Sequence, residues 1–159
     1  MSFALGRDLA QSIITLPALA DTALTAGGAG DDTDANGVSI DLADATRPKA
    51  ECVTIIAQGT AVLAASQTLA LPVRLQDSDT GSGGWADVVD PRTGTGAVFS
   101  ATRTSAAGAG TIPVATVLSV PTEYCKRFVR VVAKPNLSAS GTDTARVQAV
   151  AILSGLARA

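Results

Sequence analysis

This 159-residue sequence predicts an all-β fold, an antiparallel β-sandwich of jelly-roll type with an extended N-terminal arm. Three observations carry the prediction. Apolar and polar residues alternate with a period of two, as on strands that bury one face. The alternating runs are short and are separated by turns rich in Gly, Pro, Asp, Ser and Thr. Helical periodicity is almost absent, and no repeat of constant length organises the chain. Residues 1–26 read as the arm and 27–159 as one sandwich domain, since this length suits a single core.

In chain order, Leu5–Ile14 has room for a turn or two of helix, which is marginal in isolation. Ile13–Leu19 reads equally as an edge strand, where Pro17 is tolerated because an edge needs fewer donors. Residues 27–37 are a loop by composition. Val38, Ile40 and Leu42 alternate with Ser39, Asp41 and Ala43, a half-buried strand. Val53, Ile55 and Ala57 form the next. The run from Thr68 to Asp90 is the clearest: Leu69, Leu71, Val73 and Leu75 share one strand face, residues 77–84 turn, and Trp85–Val89 returns as a hairpin. A hairpin of this kind needs a further sheet to cover its apolar side.

Residues 92–110 are dominated by Thr, Gly, Ser and Ala, with a weak strand near Val98–Ala101. Ile112–Val120 and Tyr124–Ala133 are stronger, the latter rich in β-branched and aromatic residues. After a loop over 134–145, Val147–Leu153 places apolar side chains on both faces. That pattern fits a central strand or one covered by a partner.

Composition narrows the function. Charged residues are 16% of the chain, against roughly 25% in an ordinary domain, so part of its surface is suited to neighbours rather than water. Aromatics are 3%, which leaves the core to Val, Ile, Leu and Ala. The net charge is −2 and the densest basic cluster is Lys126-Arg127, too little to neutralise a phosphate backbone, so no nucleic-acid partner is expected. No apolar window is long enough to span a bilayer. Arg7, Asp8 and Pro17 make the apolar stretch Ile13–Ala20 a poor secretion signal, so synthesis in a cytoplasm without export is expected. Cys52 and Cys125 leave two readings open, a disulfide across adjacent strands or two small buried apolar side chains, the second favoured.

Catalytic chemistry finds little to use. The chain has no histidine, which removes the common triads, the commonest general base and the commonest metal ligand. Its only glutamates, Glu51 and Glu123, sit apart at strand mouths. No serine lies in a nucleophile elbow, and Gly94-Thr95-Gly96 lacks the rest of a dinucleotide motif. Asp32, Asp34, Asn36 and Gly37 match the opening of a calcium loop, but its twelfth position is Ala43 instead of a bidentate glutamate. Asp77, Asp79 and Gly81 form a second acidic turn with the same shortfall. Trp85 follows a glycine turn and reads as a core anchor in preference to an exposed sugar platform. No enzyme, cofactor or metal is expected.

Two segments carry a resemblance. Val73-Arg74-Leu75-Gln76-Asp77-Ser78-Asp79, leading through Gly83-Gly84 to Trp85-Ala86-Asp87-Val88, resembles a hairpin of the small β-sandwich head decoration (capsid cement) proteins of tailed bacteriophages. Tyr124-Cys125-Lys126-Arg127-Phe128-Val129-Arg130-Val131-Val132 is similar to the strand that follows in those proteins, and the Gly-Leu-Ala-Arg end fits as well. The likeness runs over about residues 38–158, in order and spacing, and departs at the arm 1–26 and the loop 90–110. It implies a virion protein on the capsid exterior, made in the host bacterial cytoplasm. Its partner would be the major capsid protein, and its assembly a homo-oligomer, often a trimer at a symmetry axis. The family offers no catalytic residues to carry over. The apolar arm residues Ile13, Ile14, Leu16 and Leu19, with the loop 90–110, are the expected intersubunit contacts. A tail or head–tail connector protein, or a sugar-binding sandwich module, are the alternatives.

Overall fold

The computed structural model of the chain describes residues 13–94, 96–138 and 141–156. The strands are β1 (Ile13–Thr25), β2 (Ala35–Asn36), β3 (Ile40–Asp41), β4 (Cys52–Gln67), β5 (Leu69–Ser78), β6 (Ala86–Asp87), β7 (Val89–Asp90), β8 (Ala97–Val98), β9 (Ser100–Thr104), β10 (Gly108–Pro121), β11 (Phe128–Ala133), β12 (Asn136–Leu137) and β13 (Thr144–Ser154). Two antiparallel sheets pack face to face, the all-β sandwich expected. One is four-stranded, in the order β1-β13-β4-β10. The other is built on β5, which pairs with β11 and β12 along one edge and with β6 and β9 along the other; β2 and β3 flank β11. β7 and β8 form a small separate ribbon.

The alternation seen in the sequence is what divides inside from outside. Leu69, Leu71, Val73 and Leu75 of β5 are all buried, and Val129 and Val131 of β11 stand beside them. Facing them across the core, β4 and β13 mix large inward side chains, Val53, Ile55, Leu63, Val147 and Leu153, with small ones: Ala57, Gly59 and Ala61, and Ala145, Ala149 and Ala151. Large therefore meets small, and the sheets interdigitate. Gly59 leaves little room, since a Cβ there would lie 3.3 Å from Leu69 Cδ2 across the core and 2.9 Å from Val147 Cγ1 on the neighbouring strand.

The chain crosses between the sheets at Thr68. Buried Ser105 secures that corner: its backbone N–H donates to Leu69 O at 2.9 Å, and its hydroxyl accepts the Leu69 N–H at 3.0 Å. The opposite edge is closed at Gly37 and Val38. The Gly37 N–H donates to Val131 O at 2.8 Å while the Val38 N–H donates to Ala18 O at 2.9 Å, which ties β1 of one sheet to the β2–β3 edge of the other.

Several expectations need correction. Residues 13–25, grouped with an arm on sequence, are an edge strand hydrogen-bonded to β13 along its length, the alternative reading of Ile13–Leu19. Two register shifts, between Pro17 and Leu19 and between Leu19 and Thr22, explain why its pattern was hard to read. Each bulge moves the side-chain phase by one residue, so Leu16 and Leu19, three apart, both turn toward the core. The expected strand over Val38–Leu42 is reduced to β3, Ile40–Asp41, with Val38 left 47% exposed, while the expected loop 27–37 contributes β2, Ala35–Asn36. Tyr124, expected to open a strand, lies in a 3-10 turn over Thr122–Tyr124, and β11 begins at Phe128. The possible helix over Leu5–Ile14 and the Gly-Leu-Ala-Arg end lie largely outside the described residues.

A side chain at Gly37 has nowhere to go, because its Cβ would sit 2.1 Å from Ala18 O and 2.7 Å from Val131 Cγ1. Gly37→Ala is expected to destabilise the fold by about 1–3 kcal/mol or more, the cost of overpacking a closed seam. A denaturant midpoint unchanged in that variant would show that the seam does not hold the two sheets together.

Candidate interaction face

The two outer faces of the sandwich differ in chemistry. On the β5–β11 sheet the outward residues form a connected polar ladder. Arg130 donates to Gln76 Oε1 at 2.7 and 3.0 Å, and Gln76 Nε2 donates to Asp87 Oδ1 at 2.9 Å. Arg74 donates to the same Asp87 oxygen at 3.0 Å and also pairs with Asp34. The Arg130 guanidinium lies 4.5 Å from the centre of the Trp85 ring. Trp85 is thus a half-buried surface residue capped by a cation, not the core anchor expected from sequence. These groups satisfy one another, and the face is laced shut.

The outer face of the four-stranded sheet has almost no charge. Register places Pro17, Val150, Ile56 and Val117 side by side, one from each strand, as an apolar row across the whole sheet. Beside it run Thr15, Ile152, Thr54 and Ser119, with Thr54 and Ser119 sharing a hydroxyl hydrogen bond of 3.0 Å. On the other side Gln148 stands opposite Gln58, followed by Arg146, Thr60 and Pro113. The Arg146 guanidinium pairs with Asp21, Nε to Oδ2 at 2.8 Å. Between these residues lies a shallow groove of about 590 Å³, floored by Gly59 and Val114 and walled by Gln58, Gln148 and Pro113. Val62 and Val117 are 55% and 57% exposed, and Val150 39%.

Sequence reasoning did not find this face, although both signals were present. β13 was read as apolar on both sides, and β4 carries Ile55 and Ile56 in succession. Of the four residues proposed as contacts, three turn toward the core and only Ile13 shares this face. Leu19 is buried, and Ile14 and Leu16 are half-buried against the core, whereas Ile13 is half-buried in the outward register of Thr15 and Pro17. Within the loop 90–110, Val89 and Asp90 of β7 pair with β8, and Ser100–Thr104 become β9.

The calcium-like turn is drawn apart by its neighbours. Asp32 pairs with Lys134 at 3.0 Å and Asp34 with Arg74, while Asn36 joins β2. In the second acidic turn, Asp77 accepts the Lys126 N–H at 3.1 Å and Asp79 pairs with the Lys126 ammonium. Among the described residues no group of three or more His, Cys, Asp or Glu is placed to hold a metal ion. Nor, among them, is any helix long and apolar enough to cross a membrane. The two cysteines are free thiols. Cys125 packs against the core beside Pro121 O, and burial, with the Asp77 charge adding to it, pushes its thiol up to about 12.

No protein-family model matches the chain, and no curated protein matches it. Among solved structures, it is similar to the VP2 subviral particle of infectious bursal disease virus, at 12% identity and a TM-score of 0.42 over 90% of this chain. The chain spans only 33% of that VP2 chain. It is also similar to desmodium yellow mottle tymovirus, at 9% identity and a TM-score of 0.31, over all of this chain and 88% of that one. A third likeness is to the C-terminal family 22 carbohydrate-binding module of Clostridium thermocellum Xyn10B, at 11% identity and a TM-score of 0.34, over 91% of this chain and 88% of that one. Likenesses of this degree, from viruses and a sugar-binding module alike, do not select a function; the faces themselves must do that.

Two measurements follow from the ionisable groups. Arg74, Arg127 and Arg92 hydrogen-bond Asp34, Asp41 and Asp90 and hold their carboxyls below the ordinary value. A carboxylate depressed in the folded state stabilises above its unfolded value of about 3.9, and that contribution is lost as pH falls through the folded value. With no histidine to titrate, stability should be level from about pH 8 to about pH 5 and fall below about pH 4. A step in the melting temperature near pH 6.5 would contradict this. Separately, Cys125 should resist alkylation at pH 8 in the native protein and react once the chain is unfolded, because only the thiolate attacks. Rapid native labelling that survives Cys52→Ser would place Cys125 at the surface.

Proposed function

We propose that this chain is a virion structural protein that decorates and stabilises a phage capsid by binding across neighbouring capsid subunits. The observation that carries the reading is the β1 edge of the four-stranded sheet, uncharged apart from Asp21, which pairs with Arg146, on an otherwise self-satisfied sandwich. The resemblance of the Leu75–Val88 hairpin and the Tyr124–Val132 strand to head decoration proteins supports it. Such a protein works without catalysis. Each contact with the shell is modest, and repetition over many subunits supplies the avidity and the stabilisation.

On this reading the partner is the major capsid protein and the site of action is the capsid exterior. On the shell the protein acts as a homo-oligomer, a trimer at a symmetry axis being the form that the resemblance favours. The β1 edge, with Ile13, Ile14, Leu16 and Leu19, is the proposed intersubunit contact. Ile13 is the member whose side chain follows the outward register, so it is the one to alter. A sugar-binding role gains nothing from Trp85, whose ring is occupied by Arg130.

Electron microscopy of virions carrying this protein tests the proposal. The sandwich is expected as density repeated at icosahedral positions on the shell, with occupancy reduced several-fold by Ile13→Asp while the circular dichroism spectrum is unchanged. Density confined to the tail or the connector would replace decoration with the alternative structural role. Absence of the chain from purified particles would refute a virion role.

A further inference from the structure

We propose that the outer face of the four-stranded sheet packs against the same face of a second copy of this chain. The inference does not rest on capsid decoration, since two copies would pair with or without a shell. Of the large apolar side chains most exposed among the described residues, Val38, Val62, Val89, Val117 and Val150, three lie on this face. Its central strands β4 and β13 already spend their inward residues on the core, so their outward Ile56, Val150 and Ile152 have no use within the monomer. Over Thr54–Ile56 and Val150–Ile152 the two strands carry apolar side chains on both faces, the pattern of strands covered on both sides.

Size, charge and hydrogen bonding all point to an identical partner. Four strands at ~4.8 Å spacing, paired over about eleven residues at ~3.3 Å each, present roughly 700 Å², so two copies bury about 1,400 Å², within the range of stable specific interfaces. The face bears one ion pair, Arg146 with Asp21, and no net charge, so it does not repel itself and does not call for a charged partner. At its middle, Gln58 and Gln148 stand opposite each other beside the groove. An amide both donates and accepts, so a second row of the same amides can satisfy the first. Packing of this kind is two-fold, each patch meeting its own copy. It adds a contact that a threefold arrangement does not supply.

Val150, next to the centre of the face, is the position to test, and its exposure means that a polar replacement leaves the core intact. In sedimentation equilibrium the full chain is expected as a dimer of its 15.8 kDa mass. Val150→Lys and Val150→Glu should each weaken association by roughly 100-fold, because either buries a like charge against itself at the contact. Both should keep the melting temperature of the dissociated wild-type chain. Mixing the two variants should restore the dimer, which a merely misfolded pair would not do. A wild-type chain that stays monomeric at high micromolar concentration overturns the inference. So does a dimer or trimer that keeps its mass in both variants, since the copies would then meet on another surface.

Discussion

The fold depends on a match of sizes across its core. β5 sends Leu69, Leu71 and Leu75 inward, and β4 and β13 answer with Ala57, Gly59, Ala61, Ala145, Ala149 and Ala151. Neither sheet could be exchanged for a copy of the other, because two leucine faces would be overpacked and two alanine faces would leave voids. The same match explains how a chain with so few aromatic rings builds a closed core. Branched aliphatic side chains fill the depth that aromatics would otherwise occupy.

Much of this was legible from residues alone, and the exceptions have physical causes. β5 could be read directly, because its period of two is unbroken and every inward residue is large. β4 and β10 were visible by the same period of two with smaller inward residues, and β13 as an apolar run. β1 was not, since its two bulges reset the phase and its apolar residues no longer fall at even spacing. β3 is shorter than its alternation suggests, because Val38 continues the pattern but the seam at Gly37 leaves that residue exposed. Trp85 was misplaced because size argued for burial, and nothing local in the sequence shows that Arg130, on a strand far along the chain, lies over its ring. The interaction face was the hardest feature to see. It is assembled from four strands whose register no single segment encodes.

The distribution of charge divides the molecule. Arginines and aspartates are gathered on the β5–β11 sheet and in the turns at its margins, where they neutralise one another. The opposite sheet is left to threonine, glutamine and valine. A low overall charge is therefore concentrated and spent on one side, so the molecule has a finished side and an unfinished one. The finished side is laced by a side-chain ladder, whereas the unfinished side adds to its backbone pairing little more than the Thr54–Ser119 hydroxyl pair and the Asp21–Arg146 ion pair.

The pairing of β1 with β13 sets the order of events during folding. Ile13 lies opposite Ser154 and Thr25 opposite Thr144, so nearly the whole described chain separates the partners. While the protein is being made, the earliest strand must wait unpaired until the last one leaves the ribosome. Contacts so distant in sequence make folding slow, in the range of milliseconds to seconds for sandwiches of this class. During that interval β1 is unpaired and β4 has its β13-side edge still bare, the moment when wrong strand partners compete.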